Sequence, residues 1–96
     1  MYLKEYNSES GLLVAVCDRD LLGKCFEEGE LSLKISERFY KGKEATEGDV
    51  LTSLQRATIA NLVGKRTITC AVDNDFIDEA CVIFVDGIPH AQMVKL

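Results

Sequence analysis

No stretch of this sequence runs more than eight residues without Lys, Arg, Asp or Glu, as in Ala57–Gly64. A membrane-spanning helix needs about 20 apolar residues, so none is expected. The opening Met1-Tyr2-Leu3-Lys4-Glu5-Tyr6 lacks the apolar core of a signal peptide, which makes the cytoplasm the expected compartment. Positive charge is scarce as well: 11 Lys and Arg stand against 16 Asp and Glu, a net charge of −5. A general nucleic-acid binder needs a clustered basic field to neutralise phosphates, so any such role is confined to a local patch. There is one proline and one histidine, and there is no glycine-rich phosphate loop or serine-nucleophile motif.

Cys17, Cys25, Cys70 and Cys81 are separated by 7, 44 and 10 residues. Those gaps match no zinc finger or ribbon, which place ligands in C-x2-4-C pairs. Disulfides are rare in a reducing compartment. Four reduced thiols are therefore expected ahead of a disulfide or a metal site. The acidic run Asp73, Asp75, Asp78 and Glu79 lacks the glycine and terminal glutamate of a calcium loop, and reads as a solvated loop. No metal and no cofactor is expected.

What remains is an ordinary globular composition, 47% hydrophobic and 28% charged over 96 residues, read as a single globular domain over 1–96. Tyr2–Tyr6 and Gly11–Cys17 read as strands. The second is apolar without alternation and should be covered on both faces. Asp18 is placed to cap a short turn that Gly23 ends. Leu31, Leu33 and Ile35 alternate with polar neighbours, the pattern of a half-buried strand. Ser36 repeats the capping logic before Gly42.

Thr46 with Asp49 forms a capping-box-like pair, and Val50, Leu54, Ala57, Ala60 and Val63 follow a helical stripe that stops at Gly64. Residues 66–75 fit either a β-branched strand or a second, short helix, and the pattern leans to helix, giving a helical hairpin. Cys81–Val85 and Ile88–Leu96 flank Asp86-Gly87, the strongest two-residue hairpin signal. The fold expected is α+β: a mixed, mainly antiparallel sheet of four to five strands, packed on one side by one long and one short helix.

Five residues are candidates for binding. His90 is the lone imidazole, on a strand face shared with Gln92. Asn61 places an amide near the apolar stripe of the Thr46–Val63 helix. Lys65 and Arg66 would follow the end of that helix, where cations complement its dipole, and with Lys41 and Lys43 they make the basic patch. Phe39 and Tyr40 beside Lys41 supply aromatics of the kind that stack on RNA bases. A catalytic alternative pairs Cys17 with His90, since a thiolate needs a base or a positive field. The neighbouring Asp18 counts against it.

The blocks Ala15-Val16-Cys17-Asp18, Leu21-Leu22-Gly23-Lys24, Phe39-Tyr40-Lys41-Gly42, Ala57-Thr58-Ile59-Ala60-Asn61-Leu62-Val63-Gly64 and Gly87-Ile88-Pro89-His90-Ala91-Gln92 carry a resemblance. Over essentially its whole length the chain resembles an archaeal family of small proteins known only as a domain of unknown function. The resemblance implies a stand-alone cytoplasmic α+β protein and brings no catalytic residues with it. It draws attention to the Asn-Leu-Val-Gly and Pro-His-Ala-Gln segments. The function expected is a non-catalytic binding or adaptor module serving a protein or an RNA, in a translation-related setting, as a monomer or weak homodimer. The alternative is a small enzyme using His90, with or without Cys17.

Overall fold

The computed structural model describes residues 1–95. Its elements in chain order are β1 (Tyr2–Ser8), β2 (Gly11–Cys17), β3 (Cys25–Glu28), β4 (Leu31–Lys34), α1 (Glu37–Tyr40), β5 (Lys43–Glu44), α2 (Glu47–Arg56), β6 (Ile59–Val63), α3 (Lys65–Asp73), β7 (Ile83–Val85) and β8 (Ile88–Val94). Single 3-10 turns stand at Arg19–Leu21 and Glu79–Cys81. The expected return strand Ile88–Leu96 reaches one position beyond the described residues.

The main sheet has six strands, in the order β5-β1-β2-β6-β8-β7, rather than four or five. β2 and β6 run parallel and the other neighbours antiparallel. The Leu31–Lys34 strand does not join this sheet; it pairs with β3 in a separate two-stranded hairpin. β2 lies inside the sheet and is covered on both faces over Val14–Cys17, which are fully buried, while Leu13 near its start is half-buried.

Nor are the helices one long and one short. α2 has 10 residues and α3 has 9, and α1 is a single turn of 4. The start of α2 follows its local chemistry: Thr46 accepts from the Asp49 backbone N–H, and Asp49 accepts from that of Thr46. Its end does not lie at Val63. Ala57 turns extended, at φ −72° and ψ 142°, and the Lys95 ammonium donates to the carbonyls of Leu54 and Gln55. The segment beyond becomes β6, bonded to β2 on one side and β8 on the other. A short apolar run satisfies a helical stripe and a buried strand equally well, and here pairing on both edges decides. α3 is a helix, as the pattern of 66–75 leaned. With β6 between them, α2 and α3 form no helical hairpin.

Alternation along the strands sorts the core into two layers. Leu3, Val14, Val16, Ala60, Leu62, Ala91 and Met93 pack with Val50 and Leu54 of α2 and with Ile68 and Ala71 of α3. On the opposite face Ala15, Cys17, Val63 and Val85 pack under Leu33, Ile35 and Tyr40, from the β3–β4 hairpin and α1. Burial pushes the Tyr40 hydroxyl up to about 12. The hairpin layer covers only part of its face.

β7 and β8 meet in the expected tight turn, with Asp86 at φ 50° and Gly87 at φ 78°. Positive φ at both central residues is the type I′ geometry that matches the twist of the flanking strands. The strand itself begins later than expected, because Glu79–Cys81 forms a 3-10 turn capped by Asp78, whose carboxylate accepts from the Ala80 N–H.

Candidate functional site

Strand register assembles the uncovered part of the sheet from residues far apart in the chain. Leu13, Ile59 and Val94 form one row across β2, β6 and β8. Ala15, Asn61 and Gln92 form the next. Cys17, Val63, His90 and, on β7, Ile83 form the third. The hairpin layer seals Ala15, Cys17 and Val63. It leaves Leu13, Ile59, Asn61 and His90 half-buried, Gln92 exposed, and Val94 and Ile83 56% and 49% exposed. Asn61 and Gln92 are therefore direct cross-strand partners, and the Gln92 amide donates to the Asn61 carbonyl oxygen at 3.5 Å, the long end of a hydrogen bond. Asn61 lies on a strand and not on a helix, as the corrected end of α2 requires.

His90 joins this face two residues from Gln92, and desolvation by its surroundings pushes its pKa down. The sign follows directly. A histidine whose folded pKa is depressed leaves the unfolded chain binding more protons, so stability is full above about pH 6.5 and falls as the pH drops below it. Urea titrations of wild type and His90→Gln should run parallel above neutrality and converge or cross on acidification. A constant gap from pH 8 to 5 would show that His90 feels no such burial.

The Cys17–His90 pair is not brought together. The two side chains share a face and a row, but Val63 stands between them on β6, two strand spacings or about 10 Å across. The Cys17 thiol is fully buried, and desolvation first, with Asp18 and Asp20 adding to it, pushes its pKa up to about 11. Of the other cysteines, Cys70 is buried and its pKa is also raised by burial, while Cys25 and Cys81 are exposed, and all four are free thiols. Among the described residues, no group of three or more His, Cys, Asp and Glu is placed to hold a metal ion.

Lys65 and Arg66 lie elsewhere. They open α3, on the helical side of the sheet, whereas Asn61, His90 and Gln92 face the hairpin side. The expected dipole explanation is thereby reversed: two cations sit in the first turn of a helix that carries no acidic residue there and has Gly64 as its N-cap. A carboxylate from another strand corrects the balance. Asp18, at the end of β2, accepts from the backbone N–H groups of Arg66 at 3.0 Å and Thr67 at 2.8 Å, and from the Thr67 hydroxyl at 2.8 Å. Asp18 was expected to cap its own turn at Arg19–Leu21, but its side chain makes no cap bond there.

These groups surround the carboxyl ends of the parallel pair β2 and β6. From there the chain departs toward the hairpin layer in one case and toward α3 in the other, the arrangement that opens a crevice in α/β sheets. The clefts there are lined by Asp18, Asp20 and Glu47 as well as by Lys65 and Arg66. The basic patch is thus interleaved with carboxylates, and Asp18 already takes the helix donors that an anion would use. Lys41 and Lys43 are exposed at α1 and β5, on the far edge of the sheet from β8.

Sequence reasoning missed Asp18 as a cap for a helix 48 residues away and missed half-buried Ile59 with exposed Val94 and Ile83 as an apolar set on one face. Strand alternation in Ile59–Val63 and Ile88–Val94 could have found the latter.

A family model described as "Protein of unknown function (DUF424)" matches residues 6–96. Among solved structures the chain is similar to one described as "Crystal structure of an uncharacterized conserved protein from Methanopyrus kandleri". The sequence identity is 24%, the TM-score is 0.78, and the match covers 99% of this chain and 93% of that one. At that identity the likeness speaks for the fold alone. No curated protein matches the chain. No helix among the described residues is long and apolar enough to cross a membrane.

Proposed function

We infer that the chain, which belongs to the DUF424 family of proteins of unknown function, is a non-catalytic binding module. Its working surface is the open sheet face around Asn61, His90 and Gln92. The observation that carries this reading is the row of half-buried Leu13 and Ile59 with exposed Val94, only partly covered beside two amides and an imidazole. Apolar side chains mixed with uncharged donors and acceptors, held on paired strands, suit a protein surface.

A protein partner is favoured over RNA. The open rows on β2, β6, β8 and β7 carry no Lys or Arg to meet phosphates. Lys4, which extends the Asn61 row on β1, donates to the Arg38 carbonyl and lies over the Tyr6 ring. Lys65 and Arg66 lie on the other side, among Asp18, Asp20 and Glu47.

The test is cross-linked co-purification from the native cells, with protein and RNA both identified. Wild type is compared with Gln92→Ala/Val94→Glu, two changes at exposed positions. The double variant should keep its far-ultraviolet circular dichroism and bind the recovered protein at least about tenfold more weakly. Unaltered binding would remove the face from consideration. Recovery of RNA that is lost at high salt and in Lys65→Ala/Arg66→Ala would replace this reading with the phosphate-binding one.

A further inference from the structure

The sheet has a second unfinished surface, on its helical side. β6, α3 and β7 form a crossover in which α3 packs on β6 and β8. Among the described residues no helix covers the helix-side face of β7, and Phe84 there is 58% exposed. Between α3 and this strand runs a groove of about 480 Å³, floored by Ile68, Val72, Val82, Phe84 and Pro89. Lys65 closes one end; Asp73 and Glu79 stand on its rim. The type I′ turn makes Val85–Ile88 the hydrogen-bonded pair, so alternation directs the backbone N–H and C=O of Phe84 away from β8, toward the outer edge.

The stretch of chain that builds this groove is acidic. All 11 Lys and Arg lie outside Thr67–Val94, where an equal number of Asp and Glu balances them. The five acids left over, Asp73, Asp75, Asp78, Glu79 and Asp86, all fall inside that segment and account for the whole net charge of −5. The segment supplies every wall of the groove except Lys65. An apolar trough that carries Asp73 and Glu79 in its lining, within the segment that holds no Lys or Arg, is complementary to a cationic, apolar occupant.

We propose that this groove docks a basic polypeptide segment of a partner protein, with a large apolar side chain seated between Val72 and Phe84 and Lys or Arg side chains over Asp73 and Glu79. This surface is separate from the open face of the preceding section, on the opposite side of the sheet, and stands or falls independently of it.

The experiment uses the full chain labelled with nitrogen-15 and a ten-residue peptide alternating Lys with Leu and Phe. Two control peptides carry Glu in place of Lys, or Ser in place of Leu and Phe. Expected are amide shifts concentrated at Lys65–Asp73 and Val82–Phe84 with the first peptide, and affinities at least about tenfold weaker with either control. Asp73→Asn/Glu79→Gln should weaken binding about tenfold, while Glu9→Gln/Glu30→Gln, which removes the same charge at exposed positions outside the groove lining, should not. Phe84→Ser, at an exposed position, should abolish the shifts in a folded protein. Equal weakening by both charge variants would mean attraction by net charge only and would overturn the proposal. So would shifts on the Asn61–Gln92 face, undiminished binding of the Ser-substituted peptide, or concentration-dependent shifts of the same groove without peptide, which would assign it to a second copy of the chain.

Discussion

Gly64→Ala is expected to destabilise the protein by about 3 kcal/mol, from backbone strain together with weakened charge-assisted hydrogen bonds. Gly64 sits at φ 108° and ψ 153°, a conformation that an L side chain rarely adopts. A Cβ at this position would also overlap the Asp18 carboxyl group, the group that caps α3. Strain and loss of the cap therefore arrive together. Denaturant titration reads the sum, and a double-mutant cycle separates the parts. In an Asp18→Gly background the whole Asp18 side chain, its Cβ included, is gone and the cap is already lost, so Gly64→Ala should cost visibly less there than in wild type. A Gly64→Ala variant within about 0.5 kcal/mol of wild type would contradict the placement of Asp18 on α3.

Leu62→Ala is expected to cost about 2–5 kcal/mol, the range for truncating a fully buried aliphatic side chain. Leu62 is 0% exposed and packs into the layer formed with α2 and α3. Its neighbour Asn61 faces the open side, so Asn61→Ala should lie within about 0.5 kcal/mol of wild type. The contrast between adjacent positions is a strand signature. Amide exchange gives an independent reading, since Ala60–Val63 sit in a ladder bonded on both edges and should be among the slowest. Comparable losses at Leu62 and Asn61, or fast exchange across Ala60–Val63, would argue against β6 as an interior strand.

Much of the candidate surface was legible in part. Asn61 and Gln92 stood out as polar residues in apolar surroundings, and they are cross-strand partners. Their company was not legible while Ala57–Val63 was assigned to a helix. The apolar stripe Val50, Leu54, Ala57, Ala60 and Val63 has helical spacing throughout, and no glycine or proline marks the break at Ala57. The extended turn there depends on Lys95 at the other end of the chain and on the edges offered by β2 and β8. Lys65 and Arg66 were grouped with Asn61 and His90 by proximity in sequence, and Gly64 sends them to the other side of the sheet.

By itself the sequence determined what neighbouring residues settle between themselves. These include the Thr46–Asp49 box that starts α2, the Ser36 cap on α1, the Asp86-Gly87 turn, and the doubly buried character of Val14–Cys17. Their interactions span a few positions, so composition and spacing suffice. Tertiary structure decided which apolar run became a strand, which helix Asp18 capped, and which half of the sheet stayed open. Each of those outcomes depends on partners tens of residues away, such as Asp18 with Thr67, 49 positions apart. Local pattern cannot distinguish a helix stripe from a strand whose two edges are both paired, and only the packed sheet supplies the second edge.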